Sequence, residues 1–470
     1  MPLPTIPSGN VASAIGGGYE VANSCRFNEA DSPDLSRATG ETTGATQWTF
    51  SAWIKRSTLG SLDNGGTFMG WYSATNKRSI FGFNDDDKLY WWSDNGSGTQ
   101  GDATTAAVFR DVGAWYHVVL KIDTPQSDQA NRVKIFVNNV EQTLTFSGSH
   151  PAQNEANTGM YGKSIIGASY YNTGTDRHFG GYLAEVCLID DSALSPSSFG
   201  EYDDDSPTIW KPIDVSGLTF GSDGAYLDFE DSGDLDDDES GNGNDYTATN
   251  LAATDQATDT PTNNFATLNP LAQTTDKGVL AEGNLSYDES TSTNAWTAIA
   301  STLAASNGKW YFEYKIGDGG DSAGNGSQVG VINYDNDNFQ NDASSDLSSS
   351  YGWYGPGNVF ITGGDAGVMS SYTDGDIVCV AMDLDNNKIY WRKNADAWIN
   401  SGDPTSGATG TGAQSITDST GSDFFSFAVA HRESGDGLAN FGGCQSFTVS
   451  SGNADANGYG NFEYAPPTGY

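Results

Sequence analysis

The sequence predicts an all-β fold, two antiparallel β-sandwiches in tandem, and three observations carry that prediction. Hydrophobic residues recur with period two in short runs, the pattern of strands that pack one face on a core. Turn-forming clusters of Gly, Asn, Asp and Ser separate the runs, with 58 glycines in 470 residues, and many short strands at such spacing build antiparallel sandwiches. Long Leu/Ala/Glu/Lys stretches of helical period are nearly absent, while 12 Trp, 22 Tyr and 22 Phe supply large core side chains.

Each segment follows from local pattern. Residues 1–20 are rich in Pro, Gly and Ser, lack a core pattern and read as an attachment arm. The first sandwich spans 21–202. In QWTFSAWIKR, Trp48, Phe50, Ala52 and Ile54 share one face, and Thr49, Ser51, Trp53 and Lys55 share the other, which is polar apart from Trp53. Tyr116, Val118, Leu120 and Ile122 line up in the next clear run, as do Val133, Ile135 and Val137. The same alternation puts Tyr182, Ala184, Val186 and Leu188 on one face of FGGYLAEVCLID, with Cys187 turned away. Residues 203–277 are acidic and read as a connector lying along the domain surface, anchored by Tyr226, Phe229, Phe265 and Leu268. The second sandwich spans 278–445. Trp310, Phe312, Tyr314 and Ile316 share a face, and DIVCVAMDLDNNKIYWRKN is a hairpin turning at Asp385, Asn386 and Asn387. Residues 446–470 are rich in Gly, Asn and Pro and read as a second arm.

Charge and cysteine usage narrow the function. The balance of 61 acidic against 21 basic residues, a formal net charge of −40, repels phosphate backbones and anionic bilayers, which argues against nucleic-acid binding and against attachment to anionic membranes. No run approaches the ~18 apolar residues of a membrane-spanning helix, and the N-terminus carries no secretory pattern. Cys25, Cys187, Cys379 and Cys444 have neither CxxC spacing nor the density of a disulfide scaffold, so they read as buried thiols.

Particular stretches carry a resemblance to known families. VANSCRFNEADSPDLSR, TFSAWIKR, WYHVVLKIDT, RVKIFVNN and FGGYLAEVCLIDDSALSPSSFGE resemble the laminin-G/concanavalin-A-like domain in its phage-protein form. KWYFEYKI, QVGVINYD, GDIVCVAMDLDNNKIYW and LANFG resemble a SPRY domain, another concanavalin-like sandwich. SGNGNDYTATNLAATDQATDTPTNNFATLNPL and NGYGNFEYAPPTGY are similar to stretches recurring in structural proteins of tailed phages. The resemblance implies two concanavalin-like jelly rolls in a virion protein, assembled in the host cytoplasm and exposed on the particle. It implies a tail-fibre or receptor-binding adhesin for a host-surface glycan or protein. The alternative is a capsid or tail decoration protein without a ligand, and a polysaccharide depolymerase stands behind both. Other virion proteins would hold the N-terminal arm. Fibre-type proteins are commonly trimers, and arms at both ends favour interchain contact, so a homotrimer is expected.

Three chemistries can be weighed at named residues. Catalysis on this fold needs paired carboxylates across a cleft, which the glucanase group supplies as E-x-D-x-x-E. No such run is present, nor a G-x-S-x-G, H-E-x-x-H or P-loop motif, so no catalytic residue is assigned. His117 and His431 sit in strands and read as structural. Asp234, Asp236, Asp238, Asn242 and Asp245 crowd one acidic loop, which is either a solvated charge run or a calcium site; calcium is the one cofactor the sequence suggests. Trp71, Tyr72, Trp91, Trp92, Trp353 and Tyr354 are candidates for stacking on sugar rings. Adjacent strand residues point to opposite sides, so at least one of Trp91 and Trp92 must leave the core. The competing reading is packing or subunit contact.

Overall fold

A computed structural model describes residues 18–39, 44–60, 66–74, 77–148, 150–156, 158–171, 174–274, 278–289, 296–318, 326–333, 351–361, 364–368, 370–416, 424–432, 435–455 and 457–470. These fall into two compact units, one ending at Asn264 and one running from Phe265 to Tyr470. Both are β-sandwiches whose strand pairings are antiparallel, and their helical elements are single 3-10 turns such as Pro196–Ser198. No helix among the described residues is long and apolar enough to cross a membrane.

In the first unit the described residues form two eight-stranded sheets. The back sheet runs Val140–Glu141, Val133–Val137, Tyr116–Asp123, Gln47–Arg56, Gly181–Asp190, Ser24–Phe27, Gln256–Ala257, with Ala225–Leu227 also on Gly181–Asp190. The front sheet runs Leu144–Phe146, Thr99–Thr105, Leu89–Asn95, Lys77–Phe83, Thr67–Ala74, Lys163–Ile166, Asp34–Ala38, Thr247–Thr249. Trp48, Phe50, Ala52 and Ile54 point into the core between them, against Trp71, Phe68, Phe81 and Trp91. The aromatic contacts are close: Trp48 meets Trp71 edge-on at 4.6 Å and Phe68 meets Phe81 at 4.8 Å.

Three sequence expectations change in this unit. The polar face of Gln47–Arg56 is not wet: Thr49 and Ser51 are buried where residues 192–226 lay Phe199, Val215, Phe220 and Tyr226 over Val119, Cys187 and Ile189, and Lys55 is buried against Asp259 and Asn264. The alternation in Gly181–Asp190 breaks at a bulge between Ala184 and Cys187, where Glu185 takes a left-handed φ of 51°. Leu183 therefore joins Val186 and Leu188 in the core cluster, whereas Tyr182 and Ala184 do not. The stretch read as a connector supplies strands Ala225–Leu227, Thr247–Thr249 and Gln256–Ala257 to the first sandwich. Tyr226 and Phe229 are buried within it. A buried latch holds its far end: Lys55 Nζ pairs with Asp259 at 2.6 Å, Trp115 donates to the same carboxylate at 3.0 Å, and Lys55 also reaches Asn264. Removing one partner of a buried pair strands a charge, which costs about 3–5 kcal/mol.

The covering segment is also pinned through His117. The Trp210 indole N–H donates to His117 Nδ1 at 3.0 Å, so Nε2 carries the proton and donates to Ser51 Oγ at 2.8 Å. Burial lowers this imidazole to about 3, keeping it neutral and structural. Of the arm expected at 1–20, residues 1–17 lie outside the described residues. Tyr19 donates to Glu185, as does Tyr226 at 2.9 Å, and burial raises the Glu185 carboxyl to about 7. The Asp85–Asp87 turn does more than bend the chain: buried Asp87 pairs with Arg56 at 2.9 Å and with Arg110.

In the second unit the described residues form two seven-stranded sheets. One runs Leu268–Gln273, Trp296–Ala305, Phe425–Arg432, Gly326–Asn333, Tyr351–Tyr354, Asn358–Ile361, Gly364–Val368. The other runs Val279–Ala281, Ser286–Asp288, Asp436–Asn440, Lys309–Ile316, Ile377–Asp383, Lys388–Lys393, Gln414–Ser415. The hairpin expected from the sequence forms, with Asn387 at a φ of 55°. His431 is buried and neutral, between Tyr314 and Ser327 hydroxyls. The segment 446–470 is no free arm: Phe447, Phe462 and Tyr470 cover the outer face at Tyr311, Cys379 and Tyr390. All four cysteines are buried and unbridged.

Candidate functional site

The outer face of the front sheet carries the candidate site. Strand pairing sets it out in rows. One row crosses four strands through Lys163, Tyr72, Arg78 and Asp94; the next runs Ile165, Gly70, Ile80, Trp92 and Asp102. Tyr90 lies two residues from Trp92 on the same face. The hairpin Ser169–Tyr171 to Gly174–Asp176 approaches the sheet over Gly70, where a Cβ would come within 2.9 Å of the Ala168 carbonyl oxygen. That close approach sets the Tyr170 ring against Tyr72, with ring centroids 4.5 Å apart and the planes tilted by 34°.

Cations sit on these rings. Lys163 Nζ lies 5.3 Å from the centre of the Tyr170 ring, and Arg78 Cζ lies 4.9 Å from that of Trp92. The Tyr90 hydroxyl is pushed up by burial and then by Asp102, with Arg177 and Arg78 opposing, so these four groups share one electrostatic neighbourhood. Tyr72, Tyr90, Trp92, Arg78, Lys163, Tyr170 and Arg177 are all half-buried. Among the described residues, the hydroxyls of Tyr72, Tyr90 and Tyr170 and the indole N–H of Trp92 meet no hydrogen-bond partner, and Lys163 forms no ion pair. The face thus offers flat rings for an apolar surface, with donors and acceptors at their edges. That mixture orients a polyhydroxylated ring.

Residues 30–198 match the family model of the concanavalin A-like lectin/glucanases superfamily. The front-sheet face therefore belongs to a concanavalin-like sandwich. No curated protein matches the chain. Among solved structures it is similar to a putative carbohydrate-binding protein from Bacteroides ovatus, at 18% identity over 49% of this chain and 59% of that one, with a TM-score of 0.33. It is also similar to the SPRY domain of human HERC1, at 14% identity over 38% of this chain and 99% of that one, with a TM-score of 0.28. A heptameric SAP-like pentraxin from Limulus polyphemus gives 15% identity over 38% and 80%, with a TM-score of 0.29.

Of the six aromatic candidates, the concanavalin-like sandwich brings two together at this face, Tyr72 and Trp92. Trp71 and Trp91 are fully buried in its core, so neither presents a ring to a ligand; their strand parity points them inward. Trp353 is likewise a core residue of the second unit, its indole N–H bonded to the Ser370 carbonyl at 3.1 Å. Tyr354 faces outward there but packs edge-on against Trp296 at 5.5 Å. The sequence reading missed Arg78, Tyr90, Lys163, Tyr170 and Arg177. Tyr90 was detectable, because it shares parity with Trp92. Tyr170 and Lys163 were not, because only the strand register and the folded hairpin bring them alongside Tyr72.

The acidic loop does not gather a cation site. Asp238 spends both oxygens on the loop, accepting from Tyr226 N, Ser240 N, Ser240 Oγ and Asn244 N. Asp236 accepts from Ala248 N, Asp245 from Asp238 N, and the Asn242 amide donates to the carbonyls of Gly221 and Gly224. The Asp234 carboxyl is raised, first by its hydrogen bond with Asp236. Among the described residues no group of three or more His, Cys, Asp or Glu is arranged around a common centre. These side chains shape the turns that carry Thr247–Thr249 to the sheet edge.

Proposed function

We propose that the protein is a non-catalytic, glycan-binding adhesin that holds carbohydrate on the outer face of its front sheet. The observation that carries this reading is a half-exposed aromatic platform, Tyr72–Tyr170 and Trp92, edged by phenol hydroxyls and an indole N–H that meet no partner among the described residues, with Arg78 and Lys163 lying over its rings. The concanavalin A-like match over 30–198 supports a lectin-type role for the same unit. The likeness of the connector and the C-terminal segment to tailed-phage structural proteins supports a setting on a virion surface. There the adhesin engages a host-surface glycan, is tethered to other virion proteins through 1–20, and works as a homo-oligomer, a trimer by analogy with fibres.

The experiment is a glycan array read with full-length protein and with Trp92→Ala. The wild type gives discrete positives, and the variant loses them while its melting temperature stays put. A flat array from folded wild-type protein overturns the reading. New reducing ends on a bound glycan overturn its non-catalytic part.

A further inference from the structure

We propose that the front-sheet face selects acidic carbohydrate, with sugar carboxylates seated at Lys163 and Arg78. This deepens the glycan-binding reading and rests on it. The motivating observation is where the cations are. Across the chain, acidic residues outnumber basic ones 61 to 21, yet this face sets Arg78, Lys163 and Arg177 against Asp34, Asp94 and Asp102, with Asp34 the carboxylate that Lys163 feels. Lys163 lies over the Tyr170 ring and, among the described residues, pairs with no carboxylate.

Geometry makes the cations usable. Lys163 and Arg78 flank Tyr72 in one cross-strand row, so their backbones stand two strands apart, about 10 Å. Each side chain rests on an aromatic ring, which holds its charge beside the stacking surface. A sugar lying on Tyr72 therefore has a cation to either side, and one lying on Trp92 has the Arg78 guanidinium at its edge. A neutral glycan gains only hydrogen bonds from these groups, whereas a sugar carboxylate gains charge-assisted ones. The net charge of −40 does not forbid an anion here. At physiological salt the Debye length is about 8 Å, so remote carboxylates are screened while contacts at the face persist.

The test titrates full-length protein with oligomers of galacturonate, mannuronate and sialate, each beside its methyl ester, followed by calorimetry. At least one acid binds about tenfold more tightly than its ester. The double variant K163Q/R78Q brings the acid down to the affinity of its ester in the same variant, and Lys163→Arg keeps the preference. Equal affinities for acid and ester, both lost in Trp92→Ala, overturn the acid selectivity and leave glycan binding standing. Binding of none of these oligomers overturns the selectivity as well; array positives for neutral glycans then keep the broader reading, and a flat array removes both.

Discussion

Two outer sheet faces of this protein carry the same side chains and meet opposite fates. On the front sheet of the first unit, Arg78 lies over Trp92 at 4.9 Å beside Tyr72 and Tyr90. In the second unit, Arg392 lies over Trp398 at 4.8 Å beside Tyr311 and Tyr390. The second face is taken by the chain's own C-terminal segment: Arg392 donates to the Ala465 carbonyl, and buried Glu313 accepts from the Tyr311 hydroxyl, the Asn440 amide and the backbone N–H groups of Glu463 and Tyr464. The back sheet of the first unit is covered in the same way by residues 192–226. Outward aromatics alone therefore do not mark a binding face. What marks it is that the hydroxyls of Tyr72, Tyr90 and Tyr170 and the Trp92 indole N–H meet no hydrogen-bond partner among the described residues.

The comparison can be broken at the covers first. Glu313→Ala leaves four donors under the C-terminal segment without their acceptor, and about 4 kcal/mol of unfolding free energy is lost, read by urea titration. Limited proteolysis then cuts within 446–470.

Smaller effects follow from titration of the back-sheet cover. The Glu185 carboxyl stands at about 7 in the fold against 4.5 when exposed. A raised folded value means its stability is fully present below 4.5 and lost as pH rises through 7, a swing of about 3 kcal/mol that Glu185→Gln removes. His117 has the opposite sign. Its folded value of about 3 lies below the unfolded 6.5, so stability is present above 6.5 and is lost as pH falls, by about 2 kcal/mol on reaching pH 5. His431 adds a similar loss in the second unit. Thermal melts from pH 5 to 8 check all three. The smallest effect on stability falls on the open face: Trp92→Ala changes unfolding free energy by about 1 kcal/mol or less, since its ring is already half wet, yet removes glycan binding.

How much of this was legible in the sequence differs by level. Parity located the core: Trp48, Phe50, Val118, Ile135, Phe427 and Val429 point where alternation sends them, because a pleated strand leaves no choice. Parity failed at Glu185, where a single bulged residue resets the faces and nothing local announces it. It also could not tell a face covered by distant chain from a wet one. Lys55 and Ser51 read as surface residues until residues 192–264 close over them. At the candidate site, Tyr72 and Trp92 were visible as outward aromatics, whereas Trp71, Trp91 and Trp353 are core residues. The cations were invisible because Lys163 reaches Tyr72 only across a long-range strand pair.

The most direct measurement is hydroxyl-radical footprinting of full-length protein with and without the oligosaccharide that binds most tightly. Ligand should protect Tyr72, Tyr90, Trp92 and Tyr170 together and leave Tyr354 and Trp398 unchanged. Protection confined to the second unit, or none at the front sheet at saturating ligand, would contradict the account.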